Sequence, residues 1–596
     1  MAKTGTTMID PHGLFDSRPT FSHVATSSGA TRFVATAGQV GADENGVVPS
    51  DIDEQIQLAF KNLKRCLDAT GAKVTDIVKV VYYIVNYDPN NRRHFEPLKA
   101  FLNGHRPAST LVPVPKLANP EFVFEIEAYL AIPQEPLKTV DVVVVGAGLS
   151  GLKAAYEVQR AGYSCAVVEA RDRVGGKTWS VNQDLAGFVD VGAAWINDTN
   201  QSEIFALVQA LGLKTVIQNT TGNIVQEDID GTVSQFPYST VPKKLSESDG
   251  VQSMVGIRDK TEAACQKLDI HDPVRTGAEL DKLTFHDWVK SQGGGKTALA
   301  SATVWTRAML GLEPTEVSAL YFLNYCKSGG GLLQMRSDQK GGGQYMRLVN
   351  GTQSISIGLA GLLKPDSILL NSPVRTVEQT AEGVYVSSAR GEFRCKRLVV
   401  SVPTPLYKEI TFNPPLPKDK LELSQQNNLG FTNKVIVRYA TPWWRQYNLC
   451  GMLQSWTGPV AVSRDSSVDE AGQYSLTCFC VGDLGRGLSK LPQAERFKTV
   501  VDHINRTVGL GVSAPAPIAF YEHEWMHDQW AQGCPCPAAP PGTMSKYEHA
   551  LRSAHGKVHF VGTETSYEWK GYMDGAIRSG ARGAQEVIRA LGTPKL

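Results

Sequence analysis

The sequence predicts an α/β protein in which a short α+β block precedes a much longer block built on a parallel sheet. Three observations support this prediction. Before residue 133, strand-like and helix-like patterns alternate over a length that suits one compact domain. Residues 140–145 then form a valine-rich run of the kind found in central parallel strands. That run leads directly into a glycine-rich turn over residues 146–151 and a helical pattern.

The composition argues against several classes of protein. The chain has 596 residues, of which 42% are hydrophobic and 20% charged, as in ordinary globular proteins. Its 60 Lys and Arg residues against 59 Asp and Glu leave a net charge of +1, so nothing favours nucleic-acid binding. No apolar stretch is long enough to span a bilayer, and the N-terminus lacks a secretory pattern. We therefore expect an intracellular protein without a membrane or nucleic-acid partner.

Residues 1–135 predict one small α+β domain. Asp51 can cap a helix whose apolar residues recur at helical spacing, and the strand that follows it is rich in β-branched residues. The predicted elements are a strand over 32–40, a helix after Asp51, a strand over 77–85, a helix over 94–102, and strands over 109–114 and 122–132.

This domain resembles the Rid (YjgF) family through its AGQV, KVTDIVKVVYYI, HRPASTLVPV and FEIEAYLA segments. Rid proteins are trimers, and their deaminating members use an arginine that grips a substrate carboxylate. Ser109 stands at that arginine position, Leu111 at a cysteine position and Phe21 at a tyrosine position, whereas Glu125 matches the family. The resemblance therefore implies a non-catalytic assembly role and a homo-oligomer.

The glycines after the valine-rich run form a G-x-G-x-x-G pattern, which by itself also fits an ordinary turn. Gly146 permits a tight turn, Gly148 lets the backbone approach a pyrophosphate, and Gly151 lets the helix pack closely on the strand. A second strand over 164–168 ends at Glu169, which is placed to accept hydrogen bonds from a ribose. Together these features predict a Rossmann-type dinucleotide-binding domain.

The run R-x-R-x-G-G-K-T over residues 171–178 resembles the second fingerprint of the flavin amine oxidases, which lies along FAD. The DVGAAWI segment, the GGGQYMR segment and the C-terminal GTETSYEWKGYMDGA segment extend the resemblance over about 450 residues. Gln344 and Arg347 of the second segment match a stretch that faces the cofactor in the family. The resemblance implies FAD as the cofactor, and it places the residues of the first glycine turn and Glu169 at FAD. It also implies FAD contacts from Arg171, Gly175, Gly176, Lys177, Val374, Trp525, Cys534, Glu564, Tyr572 and Met573.

The same resemblance implies a Rossmann-type FAD domain interleaved with an α+β substrate domain, as in the monoamine oxidases. Ligands are expected where the two domains meet, at the carboxyl ends of the parallel strands. The implied oxidase covers 136–596, with FAD-binding segments about 138–205, 340–424 and 530–596 and substrate-binding segments about 206–339 and 425–529.

Two residues are implied to be catalytic. Lys434 matches the lysine that holds a water beside flavin N5, and Tyr572 matches one wall of the aromatic cage around the amine. The opposite wall, usually a tyrosine, is Pro535, which favours a bulkier or longer substrate. Cys534 stands where the mammalian-type enzymes attach the flavin covalently, and both this attachment and a free buried thiol remain open.

An H-E-x-x-H pattern over residues 523–527 is typical of zinc proteases, in which both histidines lie on one helix face and a third ligand follows. The preceding residues predict a strand instead. We therefore expect no metal site.

The fusion of a Rid-like domain to these motifs resembles the fungal aminopentol (hydrolysed fumonisin) amine oxidases. This implies that a primary amine on a long hydroxylated chain reacts with oxygen, giving a carbonyl compound, ammonia and hydrogen peroxide. A general monoamine, polyamine or amino-acid oxidase remains open, although no acidic cluster and no carboxylate-binding arginine is evident by motif. The C-terminal Pro594-Lys595-Leu596 resembles a peroxisomal address, so we expect the peroxisome or otherwise the cytoplasm.

Overall fold

The structure is a computed structural model. The C-terminal tripeptide of the predicted peroxisomal address lies outside the residues that it describes. Within the described part of the chain, no helix combines the length and the apolar character that a bilayer span requires. The described residues are 5–11, 14–15, 17, 20–44, 46–182, 185–240, 249–512 and 514–592.

The first domain is a five-stranded sheet with two helices packed on one face. Asp51 caps the first helix as predicted, since its side chain accepts hydrogen bonds from the backbone of Asp53 and Glu54. The strand predicted over 32–40 is instead split before Gly38, whose Cα lies directly against the Glu125 side chain. In spatial order the strands are Thr31–Ala35, Phe124–Pro133, Ile77–Val85 and Ala108–Val114, with Gln39–Val40 also on Phe124–Pro133, and the helices are Ile52–Thr70 and Phe95–Leu102.

An eight-stranded sheet carries the glycine motif. Its central strands are parallel and buried, as the valine-rich run predicts. The helices Leu149–Arg160 and Met573–Leu591 pack on each other beside it. The strand order is Ile368–Leu369, Cys165–Val168, Glu135–Val145, Gly391–Val400, Val384–Ser388, Val374–Gln379 and Thr411–Asn413, with Val558–Phe560 also pairing with Gly391–Val400.

A seven-stranded, mostly antiparallel sheet forms the second large layer. Helix Gln493–Thr507 packs on one of its faces, and a separate helical cluster contains Asp249–Gln266, Phe285–Ser291, Lys296–Leu310 and Ala319–Ser328. The strand order is Val233–Pro237, Asn223–Glu227, Leu449–Ser455, Val462–Asp465, Tyr474–Val481, Thr432–Tyr439 and Ala519–Glu524.

The first domain docks against the eight-stranded sheet through buried charge. Arg390 pairs with Asp76, and both side chains are less than a tenth exposed. Arg390 Nε also donates to the carbonyl oxygen of Gly71 at 3.0 Å. Gly71 packs against Pro373, the neighbour of Val374. The docking surface therefore adjoins the strand that carries one of the predicted FAD contacts.

Candidate active site

One cavity of about 370 Å³ lies between the two large sheets, within the size range of small-molecule sites. Of the residues that the sequence analysis places at the cofactor or in catalysis, Gly151 lies behind the wall. The others line the cavity, namely Gly146, Gly148, Glu169, Arg171, Gly175, Gly176, Lys177, Val374, Lys434, Trp525, Cys534, Glu564, Tyr572 and Met573.

The glycine turn has the shape that a bound pyrophosphate requires. Gly146 has φ +99°, which favours glycine. A Cβ added to Gly151 would lie 2.0 Å from the carbonyl oxygen of Gly146, so only glycine fits between helix and strand. A Cβ on Gly148 would meet no atom within 4 Å, so open space adjoins the backbone there. This cradle fits a dinucleotide, because it is tight on the protein side and open on the cavity side.

Glu169 is fixed at the end of its strand, beside the glycine turn. Its carboxylate accepts hydrogen bonds from the backbone of Ala147 at 2.6 Å and of Arg171 at 2.9 Å. The side chain lines the cavity while the residue as a whole is only 5% exposed. The acid is therefore held where a ribose hydroxyl of FAD would lie.

Arg171 lines the cavity, but its guanidinium is bound to protein. It donates to both carboxylate oxygens of Asp528, at 2.6 and 2.7 Å. Burial opposes ionisation of Asp528, yet the hydrogen bond from His523 and the charge of Arg171 hold its pKa well below the usual range. Arg171 therefore braces the cavity wall through Asp528.

The H-E-x-x-H residues form a strand and a turn, as the sequence analysis expects. His523 belongs to strand Ala519–Glu524, and its Nε2 lies 3.0 Å from Asp528. His527 Nδ1 lies 2.9 Å from Glu44 of the first domain. The two histidines therefore contact different carboxylates, in a geometry unlike that of the zinc proteases.

The C-terminal GTETSYEWKGYMDGA segment forms another part of the cavity wall. Helix Met573–Leu591 begins at Tyr572, and its N-terminus, like that of Leu149–Arg160, lies at the cavity, where free backbone N–H groups favour negative charge. Glu564 is buried nearby, accepts a hydrogen bond from Thr404 N at 3.0 Å, and has its pKa raised by burial. These residues fit the polar parts of FAD.

Lys434 lies on strand Thr432–Tyr439, the sixth of the seven strands in spatial order, and is 5% exposed. Its Nζ donates to the carbonyl oxygens of Gly192 and Asp190 and lies 5.2 Å from the centre of the Trp195 ring. Burial lowers the pKa of Lys434 to about 8, with the charge of Asp190 opposing the shift. Lys434 can therefore exchange a proton near neutral pH.

Cys534 and Pro535 form part of the wall next to Lys177, whose Nζ donates to the carbonyl oxygen of Pro535 at 3.1 Å. Burial raises the pKa of the Cys534 thiol, and the charges of Lys177 and Lys434 oppose this. The thiol that the resemblance offers for covalent attachment thus lies at the cavity. Tyr572 and Pro535 both line it.

One cofactor-facing expectation is wrong. Gln344 lines the cavity, but Arg347 points away from it. The Arg347 guanidinium donates to the carbonyl oxygens of Ser466 at 2.9 Å and Ser467 at 2.6 Å. Arg347 lies within the short strand Met346–Leu348, whereas Gln344 precedes that strand, so the two side chains have different surroundings.

The sequence analysis missed most of the substrate half of the cavity. We use this name for the part of the wall that lies outside the cofactor motifs. The residues come from separate strands and helices and share no motif, although strand alternation could have indicated some of them. They include Met309, Tyr325, Met335, Arg336, Met452, Gln454, Val462, Arg464 and Phe479.

The catalytic positions of the Rid-like domain do not line this cavity. Phe21 packs edge-on against His23, with ring centres 5.5 Å apart. Ser109 and Leu111 lie on strand Ala108–Val114, where neither can bind a carboxylate as an arginine does. Burial raises the pKa of Glu125. The arrangement offers no replacement for the absent arginine among these positions.

Comparisons with known proteins agree with this geometry. A family profile described as "Flavin containing amine oxidoreductase" matches residues 149–588, and one described as "Endoribonuclease L-PSP" matches residues 15–132. Human amine oxidase [flavin-containing] B is 31% identical over 457 residues, covering 76% of this chain and 86% of that protein. Amine oxidase [flavin-containing] A of Sus scrofa is 31% identical over 461 residues, with the same coverage.

Two solved structures are similar in fold. A putrescine oxidase bound to putrescine has a TM-score of 0.71 and 28% identity, over 76% of this chain and 100% of that one. Cyclohexylamine oxidase from Brevibacterium oxydans has a TM-score of 0.71 and 27% identity, over 76% and 99%. The predicted fold, a Rossmann-type FAD domain interleaved with a substrate domain behind a Rid-like domain, is confirmed.

Proposed function

This chain belongs to the flavin-containing amine oxidoreductase family, and from its cavity we propose that it oxidises a primary amine on a long aliphatic chain. Oxidation gives an imine, water hydrolyses it, and the products are a carbonyl compound, ammonia and hydrogen peroxide. The observation that carries the proposal is the single cavity that joins the FAD cradle at Gly148 to Lys434 and an aromatic wall. FAD supplies the acceptor for the hydride of the amine, and oxygen is the final oxidant.

The chain's own residues prepare the amine for this reaction. Trp195 and Phe479 form a tilted aromatic pair, with ring centres 5.8 Å apart, on the wall beside Lys434. These faces exclude water from the reacting carbon and favour a neutral amine. Lys434, with its pKa of about 8, holds a water and accepts or returns a proton at its Nζ.

The substrate is a long chain, of the fumonisin or aminopentol type. The series of motifs shared with the aminopentol oxidases supports this, as does Pro535, which leaves one side of the cage open. The substrate half also contains flexible apolar side chains such as Met309 and Met452, which adapt to an aliphatic chain. A general monoamine oxidase is the alternative, and it would prefer compact amines.

A polyamine substrate fits less well. Three carboxylates line the described cavity, Glu169, Glu409 and Glu564, and all belong to the predicted cofactor segments. The substrate half instead contains Arg336 and Arg464. A second ammonium group would meet positive charge there, which disfavours spermidine and related substrates.

The test is peroxide release from a panel of amines by the purified protein with FAD. The panel contains hydrolysed fumonisin, an unsubstituted long-chain alkylamine, benzylamine, spermidine and several α-amino acids. We expect the two long-chain amines to have the highest kcat/KM. Preference for benzylamine would contradict the long-chain proposal, and no turnover of any amine by the FAD-loaded protein would contradict amine oxidation.

The Rid-like domain is proposed to serve assembly. Its sheet face opposite the helices exposes Phe33, which is 68% exposed in the single chain and packs beside Tyr129. We propose that a second copy of the chain covers this sheet face. Light scattering of the full-length protein and of a Phe33→Ser variant tests this, and an unchanged mass would contradict it.

A further inference from the structure

The substrate half of the cavity contains two arginines but one nearby carboxylate. Arg464 Nε donates to Asp338 Oδ1 at 2.6 Å, and Tyr238 donates to the other oxygen, Asp338 Oδ2, at 2.9 Å. Asp338 is 2% exposed, so its charge and both of its oxygens are engaged. The pair formed by Arg464 and Asp338 is therefore neutral, and one carboxylate cannot balance the charge of a second arginine.

Arg336 lines the same cavity without an ion pair among the described residues. Its Nη2 lies 3.4 Å from Gln454 Oε1, a long contact, and its guanidinium carbon lies 5.7 Å from the centre of the Trp305 ring. Burial lowers its pKa to about 10, which still leaves it charged at neutral pH. A charged, half-buried guanidinium with one weak acceptor is a site that gains from an anionic ligand.

The register of the sheet gives the distance between this arginine and the reacting centre. Gln454 pairs with Val462, Val462 with Phe479, and Phe479 with Lys434, and all four residues line the cavity. Three strand spacings of about 4.8 Å put Gln454 about 14 Å from Lys434 across the sheet. Arg336, at Gln454, therefore lies far along the cavity from the lysine.

We propose that Arg336 binds a carboxylate on the far end of the amine substrate, beside the neutral pair formed by Arg464 and Asp338. This rests on the proposed amine oxidation. Allowing about 3 Å for the hydrogen bond, the amine and the carboxylate are roughly 11 Å apart, which an extended chain covers in about nine to ten bonds. The ligand is therefore an ω-amino carboxylate or another long amine with a distal acid.

The geometry separates this substrate from two others. An α-amino acid has its carboxylate one carbon from the amine and cannot reach Arg336 while its amine is at Lys434. A long diamine reaches the subsite but brings a second cation to an unpaired guanidinium. A long alkylamine without a charge binds through apolar contacts alone.

The first test compares three substrates of equal length on the purified, FAD-loaded enzyme: an aliphatic ω-amino carboxylate, its methyl ester and the plain alkylamine. In Arg336→Gln, we expect kcat/KM for the carboxylate to fall about 10- to 100-fold relative to the ester, mainly through KM. Arg336→Lys restores part of the preference because it keeps the charge. Arg258→Gln, at an exposed arginine of the same domain, serves as the matched control and changes nothing.

An unchanged ratio of carboxylate to ester in Arg336→Gln would overturn the subsite, provided that the alkylamine is still oxidised. A second measurement is independent of turnover. Calorimetric titration of the FAD-loaded enzyme with an aliphatic carboxylate that lacks an amine should show binding to the wild type, about 10-fold weaker in Arg336→Gln. Carboxylate binding without turnover of any amine would support the subsite and contradict the proposed function. Amine turnover without carboxylate binding would support the proposed function and contradict the subsite.

Discussion

The cofactor half and the substrate half of the cavity are built in different ways. The cofactor half consists of short segments whose backbone conformation depends on residues within the segment, such as the turn from Gly146 to Gly151. The substrate half consists of side chains from separate strands, such as Gln454, Val462 and Phe479, that meet only through the register of the sheet. Local sequence therefore determines the first half, and tertiary structure determines the second.

This difference has a functional consequence. A backbone cradle binds the same dinucleotide in many proteins, because every step of it depends on glycine, a strand end or a helix N-terminus. A wall of side chains can change at one position without disturbing the cradle. Relatives named for putrescine and for cyclohexylamine share the fold with this chain. Substrate choice is thus expected to lie in the substrate half.

The largest effect is expected where the two halves meet, at Lys434. Replacing it with Met removes the group that holds water and exchanges a proton, so we expect oxygen-dependent turnover to fall by about 10²- to 10⁴-fold. Oxygen consumption measures this, and anaerobic mixing with amine shows whether substrate binding and flavin reduction persist.

The pH dependence provides the control for Lys434. Because burial lowers its pKa to about 8, its neutral form is present above that pH and is lost as the pH falls through it. The oxygen-dependent rate of the wild type should therefore rise through about pH 8 and then level off. An identical rise in Lys434→Met would assign the titration to another group and contradict the role given to Lys434.

A slightly smaller effect is expected where the first domain docks against the eight-stranded sheet, and it concerns stability. Arg390→Met leaves Asp76 buried without its partner, which costs about 3–5 kcal/mol of the free energy of unfolding. Urea unfolding measures the loss. The double variant with Asp76→Asn should recover most of it, because the asparagine oxygen still accepts the hydrogen bond from Lys73 N at 2.7 Å. Equal losses in the single and double variants would mean that the ion pair is not the cause.

The glycine turn allows ligand binding to be separated from folding. Gly148→Ala adds a Cβ into open space, so we expect the melting temperature of the apoprotein to be nearly unchanged while FAD binding weakens about 10- to 100-fold. Gly151→Ala adds a Cβ that would lie 2.0 Å from Gly146 O, and it should destabilise the apoprotein itself by about 1–3 kcal/mol. Thermal melts measure the stability of both apoprotein variants, and FAD titrations measure their affinity for the cofactor. Equal FAD affinity in the wild type and Gly148→Ala would contradict a close approach of FAD to the backbone at Gly148.

The smallest effect is expected at Pro535. Pro535→Tyr supplies the second aromatic wall opposite Tyr572, and an aromatic contact contributes about 0.5–1.5 kcal/mol. We therefore expect the kcat/KM ratio of benzylamine to a long-chain alkylamine to rise about 2- to 10-fold. A fall in that ratio would mean that the open side of the cage does not favour long substrates.

The sequence predicted the fold and the cofactor half closely for a physical reason. Turns, caps and strand ends such as Gly148, Asp51 and Glu169 depend on neighbours within a few residues, so their patterns are visible in one dimension. Arg336 and Arg464 belong to no such local pattern. Their different roles depend on which of them pairs with Asp338 and on the register of four strands, and both are set by the tertiary structure. The expectation for Arg347 was wrong for the same reason, since a motif does not determine which way a side chain points within a short strand.

The central claim is that this chain joins FAD to a long-chain amine in one cavity. Its most direct test is rapid mixing of the FAD-loaded protein with a long-chain primary amine in the absence of oxygen, followed by visible absorbance. We predict that the flavin absorbance bleaches at a rate that saturates with amine, and that it returns with release of peroxide when oxygen is admitted. A flavin that keeps its absorbance at every amine concentration, with long-chain and compact amines alike, would contradict the account.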